Sequence, residues 1–282
     1  MSARHPLTSL SPTPLFQLVL PPALSRIDIA RARGRVRRAV SSCTRCHLHA
    51  TPGCPVPFHP PSSASSPRFV VLGEAPGPEE ARRGRPFIGP SGKLLRALIG
   101  EAGFDPDDDV LYANTVSCFP SAGDAGEVVR SPSEAEIGAC RDNMLAQIEV
   151  ANTPFVLMVG AKALGAFRSD LSITKHHGRL FVWLDKYAVM GIVHPAAVLR
   201  GQRQFKKVIA EDLRQWAGVI AEWESGGDVF KLVGDGCVRC GREGWNYDRD
   251  AVVLCEEHVG RFGDLWKKER EKWATRVEQL SF

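Results

Sequence analysis

Eight cysteines are the residues whose spacing points most directly to chemistry. Near the C-terminus, Cys237 and Cys240 are followed after fourteen residues by Cys255 and His258. This spacing is typical of a zinc ribbon, in which three thiolates and one imidazole complete a closed tetrahedral site. The segment therefore predicts a small structural zinc module, whose role is to stabilise the chain or to contact a partner. The other cysteines lie upstream, and clustered cysteines in a reducing compartment bind metal more often than they form disulfides.

A second set of candidate residues follows the apolar runs of the sequence. The turn 73–77 (GEAPG) comes directly after one run, Asn114 lies near the end of the next, and His194 ends a third. In open α/β sheets, binding sites form outside the carboxyl ends of the strands. The Asn114 amide can both donate and accept hydrogen bonds, and Phe87 can stack on a flat ring. These residues predict a site at one edge of a sheet.

The elements that must position this site alternate along the chain. Apolar runs predict buried strands at 68–72, 110–116, 155–159, 181–184 and 188–193. Helices are predicted at 26–40, from a capping box at Ser131 to Glu134, after Gly160, and at 206–223. The alternation predicts an α/β fold with a central, mainly parallel sheet flanked by helices.

The composition is that of an ordinary globular protein, with 44% apolar and 24% charged residues in a chain of 282. No run is long and apolar enough for a membrane span. The apolar stretch 15–24 contains two prolines and lacks an obvious cleavage site, so we expect no signal peptide and a cytoplasmic location. No membrane partner and a monomeric state are expected.

Charge is distributed unevenly. Residues 1–68 contain nine arginines and one acid, Asp28, whereas the whole chain has a net charge of only +4. This pattern indicates either contact with a polyanion or a solvated, partly disordered arm. With the glycine-rich boundary near residue 225, the sequence predicts an N-terminal extension (1–40), a central domain (41–223) and a zinc-ribbon-like module with a C-terminal helix (224–282).

Three segments, GEAPGPEEARRGRPFIGPSGKLL, VLYANTVSC and IVHPAAVLR, resemble in this order the successive motifs of uracil-DNA glycosylases. The first is similar to the iron–sulfur, thermophile-type (family 4-like) branch, and the resemblance covers roughly residues 40–222. It implies a monofunctional DNA glycosylase that flips a base out of DNA and hydrolyses its N-glycosidic bond, leaving an abasic site. Uracil is the base that the resemblance favours.

The resemblance also implies roles for single residues. Phe87 would stack on the base, Asn114 would bind its Watson–Crick edge, and His194 would stabilise negative charge on the departing base. Glu74 and Ala75 would line the opposite side as the remaining catalytic positions. Some relatives have an Asp where this chain has Ala75, so that carboxylate is absent.

Other parts of the same motifs would contact the substrate. Gly73 and Gly77 let the backbone approach a ligand closely, and Glu80 is a candidate substitute for the missing acid. The resemblance assigns the segment after His194 to the DNA minor groove, with Leu199 filling the hole that the flipped base leaves. The residues that would contact DNA are Pro195, Leu199, Arg200, Arg203 and Lys206, although the basic ones could also form a solvated helix face.

The upstream cysteines match the order of the family's four cluster ligands. Cys43, Cys46, Cys118 and Cys140 would bind a 4Fe–4S cluster, which four thiolates suit chemically. Zinc is the alternative, and Cys54 is left over. In this family the cluster is understood as structural and close to DNA.

Two other functions stay open at this point. Ala196 replaces the serine that relatives carry after the His-Pro pair, and the zinc module is an addition to the family domain. Both would fit a glycosylase that excises a hypermodified phage pyrimidine as antiviral defence. A non-catalytic protein that binds duplex or single-stranded nucleic acid is the other alternative, against which the intact Asn114 and His194 argue.

Overall fold

Five strands form one central sheet in the computed structural model, which describes residues 26–63, 66–122, 128–183 and 187–226. The strands in chain order are β1 (Phe69–Gly73), β2 (Val110–Asn114), β3 (Ser121–Ala122), β4 (Val128–Val129), β5 (Phe155–Val159), β6 (Leu180–Trp183) and β7 (Tyr187–Ile192). The central sheet has the order β2-β1-β5-β7-β6, and β3 pairs with β4 in a separate two-stranded ribbon. The predicted zinc ligands, Cys237 to His258, lie outside the described residues.

The sheet is mainly parallel, as the sequence predicts. β1 pairs in parallel with β2 and with β5, and β5 pairs in parallel with β7, whereas β6 is antiparallel to β7. Every residue of β1, β2, β5 and β7 is buried. Continuous burial is expected where a parallel sheet is covered on both faces.

Helices flank the sheet and fill the connections between its strands. In chain order they are α1 (Arg26–Ser41), α2 (Pro78–Arg83), α3 (Pro90–Glu101), α4 (Glu134–Glu149), α5 (Ala161–Phe167), α6 (Ile173–His176), α7 (Ala196–Leu199) and α8 (Gln204–Glu224). α1 packs on α4, which contacts β2, and α3 packs on α8, which contacts β7. No described helix is long and apolar enough to cross a membrane.

Helix α4 begins two residues later than the sequence predicts. Ser133, not Ser131, is the N-cap: its hydroxyl accepts a hydrogen bond from the Glu136 amide at 3.3 Å, and the Glu136 carboxylate accepts one from the Ser133 amide at 2.7 Å. The sequence contains two overlapping boxes, because a serine is followed three residues later by a glutamate at both places. Arg130, which pairs with Glu136, favours the second.

An aromatic cluster closes the amino-terminal edge of the sheet. Trp216 of α8 packs edge-on against Phe69 and Phe155, the first residues of β1 and β5, with ring centroids 6.1 and 5.7 Å away.

Helix α1 adds Val36 and Val40 to the main core. The part of the predicted N-terminal extension that the structure describes therefore packs against the central domain.

Candidate functional site

A cleft of about 690 Å³ lies at the carboxyl ends of the parallel strands. Each parallel strand of the sheet contributes to its wall: Glu74 follows β1, Asn114 ends β2, Gly160 follows β5 and His194 follows β7. The predicted convergence of these loops arises because parallel strands place their carboxyl ends at one edge.

Gly73 allows two cleft residues to approach each other. A Cβ atom at this position would collide with Asn114 Oδ1 and would lie 2.6 Å from Phe87 Cζ. The Thr115 amide and hydroxyl both donate to the Gly73 carbonyl, at 2.8 and 2.9 Å, and so hold the end of β1 against the end of β2. Glycine is therefore required here to bring the Phe87 ring and the Asn114 amide together.

Asn114 places a buried amide in the cleft wall. The residue is 6% exposed, and its side chain makes no hydrogen bond to any residue that the structure describes. Because the residue lines the cleft, water or a ligand can satisfy this amide. Asn114 can therefore offer both its donor and its acceptor to a bound molecule.

His194 is held in one tautomer. Its Nδ1 accepts a hydrogen bond from the Ala196 amide at 3.1 Å, so Nε2 carries the ring proton. Burial, with a smaller effect of the positive charge on Arg200, lowers the pKa of His194 to about 4. Near neutral pH the ring is therefore an uncharged hydrogen-bond donor. Gly160, at φ 91°, gives the ring space, since a Cβ there would lie 3.1 Å from His194 Cβ.

Phe87 forms part of the cleft wall in an unusual backbone conformation. Its φ is 55°, in the left-handed region that side chains rarely adopt. Its ring packs against Tyr112 with centroids 5.5 Å apart and an interplanar angle of 44°. The ring is thus supported from behind while it contributes to the cleft.

Glu80 does not provide a free acid. One carboxylate oxygen accepts hydrogen bonds from the Ile88 and Gly89 amides at 3.2 and 2.8 Å, and the other accepts one from the Gly77 amide at 3.2 Å. The carboxylate therefore joins the turn after β1 to the segment that carries Phe87. This arrangement indicates a positioning role instead of the substitute acid that the sequence suggested.

The rim of the cleft carries an exposed leucine and several basic side chains. Leu199, at the end of α7, is 53% exposed, and Pro195 before it is buried. Arg200 lines the cleft, whereas Arg203 and Lys206 are exposed at the start of α8. The predicted DNA-contacting residues therefore lie together at one side of the cleft.

The four predicted cluster ligands share a small second cavity. Cys43, Cys46, Cys118 and Cys140 all line it, together with residues that include Arg45 and Asn143. Burial opposes ionisation of Cys43, but hydrogen bonds from Arg45 outweigh it and lower the pKa of that thiol.

No three His, Cys, Asp or Glu side chains in the described part of the chain are grouped tightly enough to hold a metal ion. In a tetrahedral single-ion site, each thiolate lies only about 2.3 Å from the metal. Four cysteine thiolates are a usual donor set both for a tetrahedral zinc site and for an iron–sulfur cluster. The donor set is thus compatible with an iron–sulfur cluster.

Cys54, which the sequence left without a role, also lies at this site. It packs against the apolar cluster that contains Cys118 and Cys140, and its sulfur accepts a hydrogen bond from the Phe119 amide at 3.0 Å. It does not line the small cavity. Cys54 therefore stands behind the four cysteines that line the cavity, and it contacts one of them through a side-chain hydrogen bond with Cys118.

Known proteins match most of the part of the chain that forms the cleft. Residues 60–214 match the model of the uracil DNA glycosylase superfamily. The chain belongs to this superfamily. It is 34% identical over 183 residues to the type-4 uracil-DNA glycosylase of Thermotoga maritima, an alignment that covers 64% of this chain and 90% of the relative. The type-4 enzymes of Sulfurisphaera tokodaii and Saccharolobus solfataricus are 31% and 32% identical, each with 81% of its length covered.

These relatives place the chain in the type-4 branch of the uracil-DNA glycosylase superfamily, as its first motif predicted. The 282-residue chain extends on both sides of the 155-residue stretch from 60 to 214 that matches the superfamily model. The matched stretch contains the whole cleft-forming sheet together with Cys118 and Cys140, whereas Cys43 and Cys46 precede it.

Two basic cleft residues of this superfamily member were missed by sequence reasoning. Lys162 lines the cleft at the start of α5, and Arg130 lines it just before α4. Arg130 donates to both oxygens of Glu136, at 2.8 and 2.6 Å, and these bonds are the main reason that the pKa of Glu136 falls to about 2. Neither residue belongs to a recognisable motif, so only the folded arrangement shows that they reach the cleft.

Proposed function

We propose that this protein removes uracil from DNA by hydrolysing the N-glycosidic bond and leaving an abasic site. The observation that carries the proposal is the convergence of Phe87, Asn114 and His194 on one cleft of a uracil-DNA glycosylase superfamily member. An aromatic ring, an unpartnered amide and a neutral imidazole donor are together suited to a pyrimidine. The type-4 names of the relatives support uracil as that base.

Recognition of the base would use the first two of these residues. A nucleotide flipped out of the duplex enters the cleft, and its ring stacks on Phe87. Asn114 then donates and accepts along the Watson–Crick edge, with its amide orientation fixed by the bound base. The backbone of Gly73 and Gly77 permits close approach of the base to the turn after β1.

Bond cleavage would depend on His194. The electron pair of the C–N bond leaves with the base, and the Nε2–H of the neutral ring donates a hydrogen bond to the pyrimidine O2, where negative charge develops. The sugar becomes cationic, and water adds to its anomeric carbon while it loses a proton to the solvent. The departing base anion takes up a proton from the solvent and leaves as the neutral free base. Glu74, on the opposite wall, would orient this water and offset the positive charge, because Ala75 carries no acid.

Contacts with the DNA would come from the rim. Leu199 is exposed, as expected of a side chain that enters the base stack at the position of the flipped nucleotide. Arg200, Arg203 and Lys206 would neutralise backbone phosphates. Because these contacts do not read the sequence, they would serve any site that contains the target base.

The resident cofactor is proposed to be a 4Fe–4S cluster bound by Cys43, Cys46, Cys118 and Cys140. Its contribution is structural: four iron–thiolate bonds would join the segment after α1, the segment after β2 and helix α4. Arg45 would offset part of the negative charge of the thiolates. The chemistry of excision uses only side chains of the cleft.

Abasic-site cleavage tests the proposal directly. Purified protein is incubated with duplexes that contain uracil, thymine or a bulky modified cytosine, and strands are then cut at abasic sites. Excision of uracil is expected, with losses on the order of 100-fold or more in Asn114→Ala and His194→Ala. Excision of no base by iron-loaded protein, or unchanged rates in both variants, would contradict the proposal.

One observation supports a second candidate substrate. The cleft of about 690 Å³ is larger than a pyrimidine ring requires, and Ala196 in its wall is small. A pyrimidine with a bulky substituent could therefore enter, as expected of a defence enzyme that acts on modified phage DNA. Excision of the modified cytosine but not of uracil would favour this substrate over the first.

A further inference from the structure

We propose that Arg96 is a positioning residue, which together with Glu80 fixes the peptide between Phe87 and Ile88 and so holds the Phe87 ring in place for the flipped base. The proposal rests on the proposed function, because it concerns the residue that would stack on that base. Arg96 lies in the middle of α3 and does not line the cleft.

The conformation of Phe87 requires an explanation. A φ of 55° is uncommon for any residue other than glycine, and such conformations persist only where the surroundings determine them. The residue is nevertheless buried and well packed, with an exposure of 8%. Its neighbours must therefore stabilise a backbone conformation that is unfavourable in an unfolded chain.

Opposite charges hold the two ends of one peptide group. The Arg96 Nε donates to the Phe87 carbonyl at 3.2 Å, and the Glu80 carboxylate accepts from the Ile88 amide at 3.2 Å. The C=O and N–H of a trans peptide point in opposite directions. Both bonds can form only in one orientation of the peptide plane, and rotation of this plane would break both.

Arg96 is itself firmly anchored. Its Nη1 donates to the Pro106 carbonyl at 3.2 Å and to Asp107 Oδ1 at 2.9 Å. Its guanidinium lies over the Tyr112 ring, 4.1 Å from the centroid, and the same ring packs against Phe87. Arg96 therefore supports Phe87 through its carbonyl and also through the ring behind it.

The start of helix α3 packs closely against the Phe87 backbone. Gly92, one turn before Arg96, has no Cβ, and one placed there would lie 2.6 Å from Phe87 Cα. The close approach brings the start of the helix against the Phe87 backbone, which leaves the Arg96 guanidinium within reach of the Phe87 carbonyl. The contact is thus built into the packing of α3.

The test compares three variants of the full chain with the wild-type protein. Arg96→Met removes the donor and keeps an apolar side chain, Arg96→Lys keeps a positive donor, and Asp107→Asn removes the ion pair but leaves the Nε contact. Single-turnover uracil excision and duplex affinity are measured separately. Crystal structures of the wild type and of Arg96→Met report the orientation of the peptide between Phe87 and Ile88 independently of activity.

We expect Arg96→Met to lower the single-turnover rate on the order of tenfold to a hundredfold with little change in duplex affinity, since a misplaced reacting group can cost about that much. Arg96→Lys should recover part of the rate, and Asp107→Asn should remain near the wild type. In the Arg96→Met crystal structure, the peptide plane between Phe87 and Ile88 should be rotated, because the bond to the Phe87 carbonyl is lost.

Three outcomes would overturn the proposal: an unchanged rate in Arg96→Met, an equal loss in Asp107→Asn, or a peptide plane between Phe87 and Ile88 that keeps its orientation in the Arg96→Met crystal. A wild-type protein that excises no uracil would instead contradict the proposed function. In that case the orientation of this peptide in the two crystal structures still decides the role of Arg96.

Discussion

At the scale of single residues, the neutral state of His194 determines the expected pH dependence of excision. Burial and Arg200 lower its pKa from 6.5 to about 4, so the ring stays uncharged above that pH. The single-turnover rate should therefore show no inflection near 6.5 and should fall only as the pH drops through about 4. A pH–rate profile of the wild-type protein measures this directly.

Arg200→Gln is the matched variant for this profile. It removes one of the two causes of the low pKa, so the acid limb should move to higher pH while the rate at neutral pH changes less than in His194→Ala. An acid limb centred near 6.5 in the wild type would show that His194 titrates normally and would contradict the neutral-donor role.

Phe87, Asn114 and His194 could be selected from the sequence because motifs mark them, whereas their supports could not. The Glu80 carboxylate looked like a candidate acid until the structure showed three amides bound to it. No sequence motif marks Arg96, because its role depends on a contact with the Phe87 carbonyl that forms only in the folded chain. A backbone conformation and a contact between two elements are properties of the folded chain alone.

At the scale of elements, the short helix α7 presents Leu199 to the solvent. Leu199→Ala should lower excision from duplex DNA on the order of tenfold, since burying a leucine side chain contributes about 1.5 to 3 kcal/mol. Excision from single strands should change little, because no stack needs to be filled. Comparison of single-turnover rates on the two substrates measures the difference.

Ile27→Ala provides the control, since Ile27 is also exposed, at 63%, but lies on α1. Both variants should keep the wild-type melting temperature, because neither removes buried surface. Equal losses on duplex and single-stranded DNA in Leu199→Ala would show that the residue does not act in the base stack.

The strands were predictable as elements because each is an uninterrupted apolar run, and the observed bounds differ little from the expected ones. The antiparallel direction of β6 was not assigned, since a buried run has the same pattern in either direction. The start of α4 was placed wrongly because two capping boxes overlap, and the ion pair between Arg130 and Glu136 that favours the second joins side chains six positions apart.

At the scale of the whole molecule, the two groups of cysteines should bind different metals. Purified chain is expected to contain about four iron atoms and one zinc atom. Cys140→Ser should lower the iron content and the visible absorbance while zinc stays bound. His258→Ala should lower zinc alone. Metal analysis and absorbance spectra of the three proteins measure both effects.

Cys54→Ser is the control for the ligand set, since Cys54 lies beside the four cysteines but does not line their cavity. It should retain iron at the wild-type level. Loss of iron in Cys54→Ser, or zinc in place of iron in the wild-type protein, would refute the proposed ligand set or the proposed cluster.

The residues at the amino-terminal edge of the sheet contribute to stability, whereas those at the carboxyl edge form the cleft. Trp216, Phe69 and Phe155 close the amino-terminal edge with edge-on ring contacts, at the opposite ends of the strands from the cleft. At the carboxyl edge lie the Asn114 amide, which has no hydrogen-bond partner among the described residues, and Phe87, whose backbone is in the left-handed region. Substitutions in the aromatic cluster should therefore act on folding, whereas those in the cleft should act on the reaction.

Ala75 lies between the cleft and the cysteine site. It lines the cleft, and it also packs against the apolar cluster that contains Cys118 and Cys140. In an Ala75→Asp variant, the carboxylate that some relatives use would lie against the cluster that contains Cys118 and Cys140, and its charge would oppose ionisation of these thiols. A glycosylase that evolves from this chain and gains an aspartate at position 75 would therefore have to lose the cysteine site first or at the same time.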